Sequence, residues 1–436
     1  MENKEFLIDL LNKTFFAAWK NQNYKTNENL YANFASLELQ ITSACDQRCS
    51  YCYYHKHGDV LNPSTITKRD NILNNLEALL SWLSRNSYFP RIEIFSGEPF
   101  AVEIGFKVVE RVIDWYIENN LSSVLTIPTN FSFIMNSKRV RRMEELLAKA
   151  RSNGIDMFLS ASVDGKYLDE RNRPFVNKRR SANYYDKIFE FAKKWGVAFH
   201  PMIYKDGIEL WKDNFLWFQT MFTNYELPWH SLYLLEVRNY EWDLASIREF
   251  YKFIYFVTQW SIKKLGSLGV KEEDLLKAIH QLKLFNLFSG FFTTGRGIGC
   301  SVQSTMQLRL GDLSVHPCHR TAYPQFKLFQ FIIEDSEIVG IRPFNYGLFP
   351  VIYGANSEEF PFCEACSIRK LCSGTCLGAN YEYSGELFLP PPTVCLLEHA
   401  KVYAIIDALT DLDVLKYFYG LESYNSIFVY RKYIKE

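Results

Sequence analysis

The sequence has no surplus charge of either sign. Lys and Arg total 49, Asp and Glu total 49, and the formal net charge over 436 residues is zero. Bulk electrostatic capture of nucleic acid or of an anionic membrane is therefore not expected. No apolar run approaches the length of a membrane span. The first residues, Met1-Glu2-Asn3-Lys4-Glu5-Phe6-Leu7, lack a basic segment followed by an apolar stretch, so no secretory signal is read there. The expected location is the cytoplasm, with no nucleic-acid and no membrane partner. A phosphate loop is also lacking. Thr294-Gly295-Arg296-Gly297-Ile298-Gly299 is glycine-rich but has no Lys-Ser/Thr ending, and it reads as a turn ahead of Cys300. Aromatics are abundant, 35 Phe and 27 Tyr, and read as core and surface residues.

What the chain does have is ten cysteines in two clustered sets. In a reducing compartment such spacing argues for metal rather than disulfides. Cys45, Cys49 and Cys52 stand at Cys-x3-Cys-x2-Cys spacing, with Tyr51 just before the third. Three thiolates on one short loop can hold three corners of one metal cluster. A cubane [4Fe–4S] cluster usually takes four, so three leave one iron open to chelate a substrate or cofactor. Zinc, completed by His55 or His57, is the competing reading; a structural zinc site wants four ligands, usually as two separated pairs. The other seven cysteines are Cys300, Cys318, Cys363, Cys366, Cys372, Cys376 and Cys395. They supply ligands for two more metal centres, iron–sulfur or zinc.

The hydrophobic pattern alternates strand and helix. An amphipathic helix is expected within 1–35, with Phe6, Leu7, Leu10, Leu11, Phe15 and Phe16 on one face. Strands are expected at 36–42, 91–95, 124–128, 157–163, 197–203 and 230–237. Helices are expected from Thr65, over 102–118 and from about Ser137, and 238–295 is largely helical. The run Lys138-Arg139-Val140-Arg141-Arg142 reads as a solvated helix face. Alternation over about 200 residues argues for an α/β fold with a parallel sheet and right-handed crossovers. Six units imply a partial (β/α)6 TIM-like barrel rather than the full eight. Polar clusters follow the strands, where barrel enzymes place their chemistry: Ser96-Gly97-Glu98-Pro99, then Thr129-Asn130, then Ser162-Val163-Asp164-Gly165.

The cysteine loop followed by these clusters resembles the radical S-adenosylmethionine (SAM) superfamily. The resemblance implies that the amino and carboxylate groups of SAM chelate the open iron. It implies that one electron from the cluster yields a 5′-deoxyadenosyl radical, which removes a hydrogen atom from substrate. Ser96-Gly97-Glu98-Pro99 is similar to the family's Gly-Gly-Glu-Pro segment, with Ser96 where the first glycine is usual and Glu98 as the carboxylate for the SAM amino group. Ser162-Val163-Asp164-Gly165 with a following arginine resembles the segment in which the serine contacts the ribose and the arginine the SAM carboxylate. Arg171 or Arg173 can align, and Arg173 is favoured. Tyr51 and Asn130 complete the implied SAM contacts.

The second cysteine set resembles the SPASM domain, an extension that binds two auxiliary [4Fe–4S] clusters, which makes three clusters in all. By that family's interleaved ligation, Cys363, Cys366, Cys372 and Cys395 hold the distal cluster, and Cys300, Cys318 and Cys376 the nearer one. His316, His319 and Asp312 lie close to the nearer set in sequence. The resemblance covers a radical SAM partial barrel (36–240) and a small irregular SPASM domain (296–400); the rest of the chain reads as an N-terminal helical segment (1–35), a helical bridge (241–295) and a C-terminal helix and tail (401–436). Sulfatase-maturing enzymes share this architecture, with an aspartate base after the second SPASM cysteine. Here that position is His319, a residue that can still take a proton near neutral pH.

The expected function is modification of a ribosomally made peptide by hydrogen abstraction, forming a thioether or carbon–carbon crosslink. Oxidation of a protein Cys or Ser to formylglycine and peptide epimerisation are alternatives. A structural or electron-transfer metalloprotein is the reading from another class. Expected partners are a small precursor peptide, an electron donor of flavodoxin or ferredoxin type, and a separate peptide-recognition protein.

Overall fold

The structure is a computed structural model. It describes residues 5, 9, 11, 13, 36–56, 69–95, 97–281, 305–345, 347–353, 360–369, 371–372, 374, 376–418 and 434–435. The expectations for Phe6, Leu7, Leu10, Phe15, Phe16, His57, residues 65–68, Ser96 and residues 282–300, Cys300 included, lie outside the described residues.

Among the described residues, seven strands precede the second cysteine set: β1 (Ser36–Gln40), β2 (Arg91–Ile94), β3 (Val124–Thr129), β4 (Asp156–Ala161), β5 (Ala198–Phe199), β6 (Met202–Ile203) and β7 (Leu235–Glu236). Four more follow: β8 (Thr305–Arg309), β9 (Ser314–His316), β10 (Phe329–Glu334) and β11 (Glu337–Pro343). The described residues divide between two compact units. One comprises Met1–Ser162, Phe175–Val197 and Ser301–Gly354; the other comprises Val163–Pro174, Ala198–Cys300 and Ala355–Glu436.

Within the first unit the strands run in the order β11-β10-β9-β8-β1-β2-β3-β4. β8, β1, β2, β3 and β4 are parallel, and β9, β10 and β11 continue antiparallel. The fold class is therefore α/β with a parallel-rich sheet, as expected. The addition is on the far side of β1, where β8 pairs Ser36 with Thr305 and Gln40 with Arg309.

This pairing explains β1, all of whose residues are buried. Leu37 and Leu39 supply the apolar face read from the alternation. The polar face is buried too, and its groups find partners. Ser36 Oγ lies 2.9 Å from Thr305 Oγ1. Gln307 Nε2 donates to Gln40 Oε1 at 3.5 Å and to the Tyr54 hydroxyl at 3.3 Å. Glu38 meets His319, described below.

The helices Arg69–Arg85, Glu103–Glu118 and Ser137–Ser152 fall where the period places them. The last begins at Asn136, whose side chain accepts from Lys138 N and Arg139 N and so satisfies donors that open every helix. Its basic run is only partly solvated. Arg139 Nη2 donates to Ala101 O at 3.1 Å and Arg142 pairs with Glu103, so two of the four cations latch this helix to the preceding segment.

In the second unit the expected strand at 197–203 is two short strands, β5 and β6. Pro201 stands between them and has no N–H to give to a ladder. β6 pairs in parallel with β7. The helix Leu244–Ser267 opens with a reciprocal cap between Asp243 and Ser246. Tyr255 on it donates to Asp411 at 2.6 Å, joining it to the helix Pro392–Asp411.

Candidate functional site

Three turns converge beyond the C-terminal ends of β1, β2 and β3 in the first unit. The cysteine loop leaves β1. Cys52 N bonds Cys49 O, and His55 N and Lys56 N bond Cys52 O, so the loop winds into the short helix Tyr53–Lys56. Cys45, Cys49 and Cys52 are thiols, each partly exposed, and Tyr51 is half-buried between the last two.

The turn after β2 crosses this loop in direct contact. Glu98 N donates to Ala44 O at 2.8 Å. Gly97 sits at φ +42, and a Cβ there would lie 2.4 Å from Ala44 O. Only glycine tolerates both the backbone angle and the approach. Pro99 opens a 3-10 turn, Pro99–Ala101, for which the Glu98 side chain is the cap.

Glu98 is 1 % exposed. Its carboxylate accepts from Phe100 N at 3.1 Å, Thr129 Oγ1 at 2.8 Å and Asn130 N at 2.6 Å. Three of a carboxylate's roughly four acceptor positions are thus taken from within the chain. Burial pushes the group up to about 7 against the pull of these bonds, and Asp46 adds to the rise. A carboxyl raised above its ordinary 4.5 stabilises the ligand-free fold fully below that value, and the contribution is lost as pH rises through about 7. The interval corresponds to about 3 kcal/mol. In denaturant titrations at pH 5 and pH 8, wild type is expected to lose about that much more stability than Glu98→Gln; parallel curves would contradict the assignment.

The turn after β3 reaches back to the cysteines. Asn130 Nδ2 donates to Asp46 Oδ1 at 2.8 Å and lies 3.8 Å from Cys45 Sγ. Gln47 N donates to the same sulfur at 3.4 Å. Burial raises the Cys45 thiol to about 12, with Glu98 and Asp46 adding to the rise. Hydrogen-bond donors aimed at sulfur suit a thiolate held by a cationic centre. Thus the donor set fits an iron–sulfur cluster at Cys45, Cys49 and Cys52. Among the described residues no three His, Cys, Asp or Glu side chains converge on one ion-sized point.

Asp46 and Lys178 were not among the expected site residues. Burial works upward on Asp46, yet hydrogen bonds from Lys178 and Asn130 hold it below the usual carboxylate range. Lys178 Nζ is 2.5 Å from Asp46 Oδ2. Val176 N bonds Asp46 O, and Gln47 bridges antiparallel to Phe175. The segment 175–178 therefore straps the cysteine loop. Ser162, at the end of β4, is half-buried and donates its N–H to Thr129 O at 2.7 Å.

His319 follows Cys318 in the same unit. Its Nδ1 is 3.0 Å from Glu38 Oε2, and its ring stacks on Phe95 with centroids 3.9 Å apart. Glu38 is 3 % exposed at its side chain and His319 27 %. Of the other two residues noted for the nearer cluster, His316 is buried beside Ser314. Asp312 accepts from the Ser314 backbone and hydroxyl.

Arg171 and Arg173 belong to the second unit, and their environments differ. Arg171 pairs with Glu209 at 3.1 Å, both about half exposed. Arg173 Nε donates to Asp164 Oδ1 at 2.8 Å, with side-chain exposures of 8 % and 0 %. The same oxygen accepts from Met202 N at 2.9 Å. Gly165, at φ +104, lets the turn pass 2.5 Å from Asn214 Oδ1, measured from where a Cβ would stand. Arg173→Ala strands a buried carboxylate and is expected to cost about 3–5 kcal/mol, whereas Arg171→Ala should stay within about 1 kcal/mol. Urea midpoints of the two variants check this; equal midpoints would contradict it.

The remaining described cysteines are in the second unit. Cys363 lies in the short helix Pro361–Glu364, Cys376 immediately precedes the helix Leu377–Ser384 without a side-chain capping bond, and Cys395 is in the first turn of Pro392–Asp411. Burial raises Cys395 to about 12, and Cys363 and Cys366 contribute to the rise, so these three are neighbours. Cys366 Sγ is 3.6 Å from His399 Nε2. Cys372 Sγ, which accepts from Gly374 N, is 4.0 Å from Glu398 Oε2. Glu398 belongs to a buried cluster no local pattern announces. Arg238 Nη2 pairs with Glu236 at 3.0 Å and Glu398 at 3.3 Å, and Lys401 Nζ with the same two at 3.1 and 2.9 Å. Cys318 is in the first unit and Cys376 in the second.

No protein-family model matches the sequence, and no curated protein matches it. Among solved structures, anSMEcpe with bound AdoMet is similar over 90 % of this chain and 98 % of its own, at 14 % identity and a TM-score of 0.58. SuiB of Streptococcus suis bound to S-adenosylmethionine is similar over 83 % of this chain and 75 % of its own, at 14 % identity and a TM-score of 0.48. SuiB bound to precursor peptide SuiA gives the same identity and TM-score over 76 % of its own length. At such identity the likeness is one of fold. The chain therefore shares the fold of anSMEcpe.

Proposed function

We propose that this chain is a radical SAM enzyme that modifies a ribosomally made peptide. The observation that carries the reading is the contact of the Gly97-Glu98 turn with the cysteine loop, through Glu98 N to Ala44 O at 2.8 Å. It brings the segment proposed for SAM against the loop proposed for the cluster. The similarity to AdoMet-bound anSMEcpe supports the same cofactor here.

Cys45, Cys49 and Cys52 would hold the [4Fe–4S] cluster, which when bound supplies one electron to the SAM sulfonium and so yields a 5′-deoxyadenosyl radical. Glu98 offers its remaining acceptor position to the SAM ammonium. Asn130 orients the loop through Asp46, Ser162 offers a hydroxyl to the ribose, and Arg173 a guanidinium to the carboxylate. Tyr51 and Ser96, which belong to the same two sequence segments, are assigned to the same cofactor. Cys363, Cys366, Cys372 and Cys395 are assigned to a distal auxiliary cluster, and Cys300, Cys318 and Cys376 to a nearer one.

His319 would take the proton that the substrate radical loses, and the electron lost with it would pass to the nearer auxiliary cluster. Glu38 holds the tautomer with hydrogen on Nδ1, which leaves Nε2 as the acceptor. The dyad replaces an aspartate base with an imidazole oriented by a buried carboxylate. The substrate is a small precursor peptide, presented directly or by a separate recognition protein, and the product a thioether or carbon–carbon crosslink.

Co-expression with small peptides encoded beside the gene, followed by intact and fragment mass spectrometry, tests this. Loss of two hydrogens per site, with fragments missing inside a ring, is the expected result. An unchanged peptide on enzyme that still cleaves SAM would overturn crosslinking and move the assignment to formylglycine formation or epimerisation.

A further inference from the structure

We infer that the strap over the cysteine loop is the docking surface for an acidic one-electron carrier protein. The inference rests on the proposed function above and adds the place where the reductant binds.

The chain as a whole carries 49 charges of each sign, but the charge here is not balanced. The loop and its helix, residues 45–56, contain Arg48 and Lys56 as cations and Asp46 as the one acid. The strap, residues 175–180, contributes Lys178, Arg179 and Arg180 and no acid. Asp46 is already paired with Lys178. Arg48, Lys56, Lys178 and Arg179 are exposed, as is Val176, at 45 %. An exposed apolar side chain ringed by cations is the anatomy of a small transient interface.

The cationic groups are also held in place. Lys178 Nζ is 4.6 Å and Arg180 Cζ 4.8 Å from the Phe175 ring centroid, and Arg180 Cζ is 5.5 Å from that of Tyr184. Cation–π contacts fix these heads over the strap. The strap is fixed to the loop by Val176 N to Asp46 O and by the Gln47–Phe175 bridge. Arg48 sits between the first two thiols, with Nη1 3.4 Å from Cys45 O. A partner seated on Arg48 and Arg179 is therefore one peptide segment from the thiols.

Electron transfer requires that closeness, whereas a peptide substrate has no need to be held against the cysteine loop. The carrier's reduced centre gives up one electron and is oxidised by one. A cluster held by Cys45, Cys49 and Cys52 would be reduced by one, with no bond made or broken. A positive patch on a protein of zero net charge acts on encounter rate, and the effect fades with salt.

The test uses the full chain with its clusters and a bacterial flavodoxin of strongly negative charge. Association with oxidised flavodoxin, followed by surface plasmon resonance, needs no turnover. Arg179→Glu is expected to slow association about threefold at low salt, and Arg48→Glu with Arg179→Glu about tenfold, both differences closing at high salt. SAM cleavage driven by dithionite should be unchanged in Arg179→Glu, while cleavage driven by flavodoxin falls with the association rate. Equal association rates for wild type and both variants overturn the inference. So does an effect confined to the Michaelis constant of a peptide substrate under dithionite, which would make the patch a peptide site. If wild type binds flavodoxin by this surface yet dithionite yields no SAM cleavage, the docking surface stands and the radical SAM reading fails.

Discussion

Replacing Gly97 by alanine is expected to lower SAM cleavage about 100-fold or more and to loosen iron at the cysteine loop. The added Cβ would stand 2.4 Å from Ala44 O and 2.9 Å from the Ser43 carbonyl carbon. Both are backbone atoms, so no side-chain rotation relieves the overlap. The φ of +42 adds a conformational cost for any residue with a Cβ. The turn and the loop must separate, and the bond from Glu98 N to Ala44 O breaks with them. A shift of about 1 Å in a positioning element can cost a factor of 100 in rate. Iron content and 5′-deoxyadenosine formation measure the two effects. A variant within a few-fold of wild type in both would show that the contact between turn and loop does not matter to the chemistry.

Cys49→Ala is expected to abolish SAM cleavage. Two thiolates cannot hold a cubane that already lacks a fourth, so the cluster at this loop is lost. The cysteines between Cys363 and Cys395 are in the other unit, and their centres should survive. If wild type holds the three clusters proposed above, the iron content should fall by about one third, and the electronic absorption should drop rather than vanish. A variant that still makes 5′-deoxyadenosine would mean that the loop is not the catalytic cluster site. Total loss of iron would instead mean that the fold of the chain depends on this cluster.

The parts of the candidate site legible in the sequence are those whose chemistry is local. Cys45, Cys49 and Cys52 announce themselves by spacing, and Gly97-Glu98-Pro99 by its position after a strand. The periods of the first four strands and their helices place them to within a residue or two at most ends. Pro201 marks in the sequence the place where one expected strand becomes two.

What could not be read is what the fold brings together from afar. Lys178 and Asp46 are 132 residues apart, His319 and Glu38 are 281, and Lys401 and Glu236 are 165. None of these pairs leaves a periodic trace. The alternation in β1 marks Leu37 and Leu39 but treats Ser36, Glu38 and Gln40 as a solvent face. They are buried because β8 joins β1 some 269 residues later, as the pair Ser36 and Thr305 shows, and because the residues after it bring His319. A polar residue in a strand states what it needs, a partner, without stating where the partner comes from.

The most direct test of the account is the yield of 5′-deoxyadenosine from SAM, by anaerobically reconstituted wild type under dithionite, quantified by liquid chromatography and mass spectrometry. A radical SAM enzyme gives a yield that depends on reductant and on enzyme and is absent without either. Well-reconstituted protein with a full complement of iron that leaves SAM intact would contradict it, and would make the cysteines ligands of structural or electron-transfer centres.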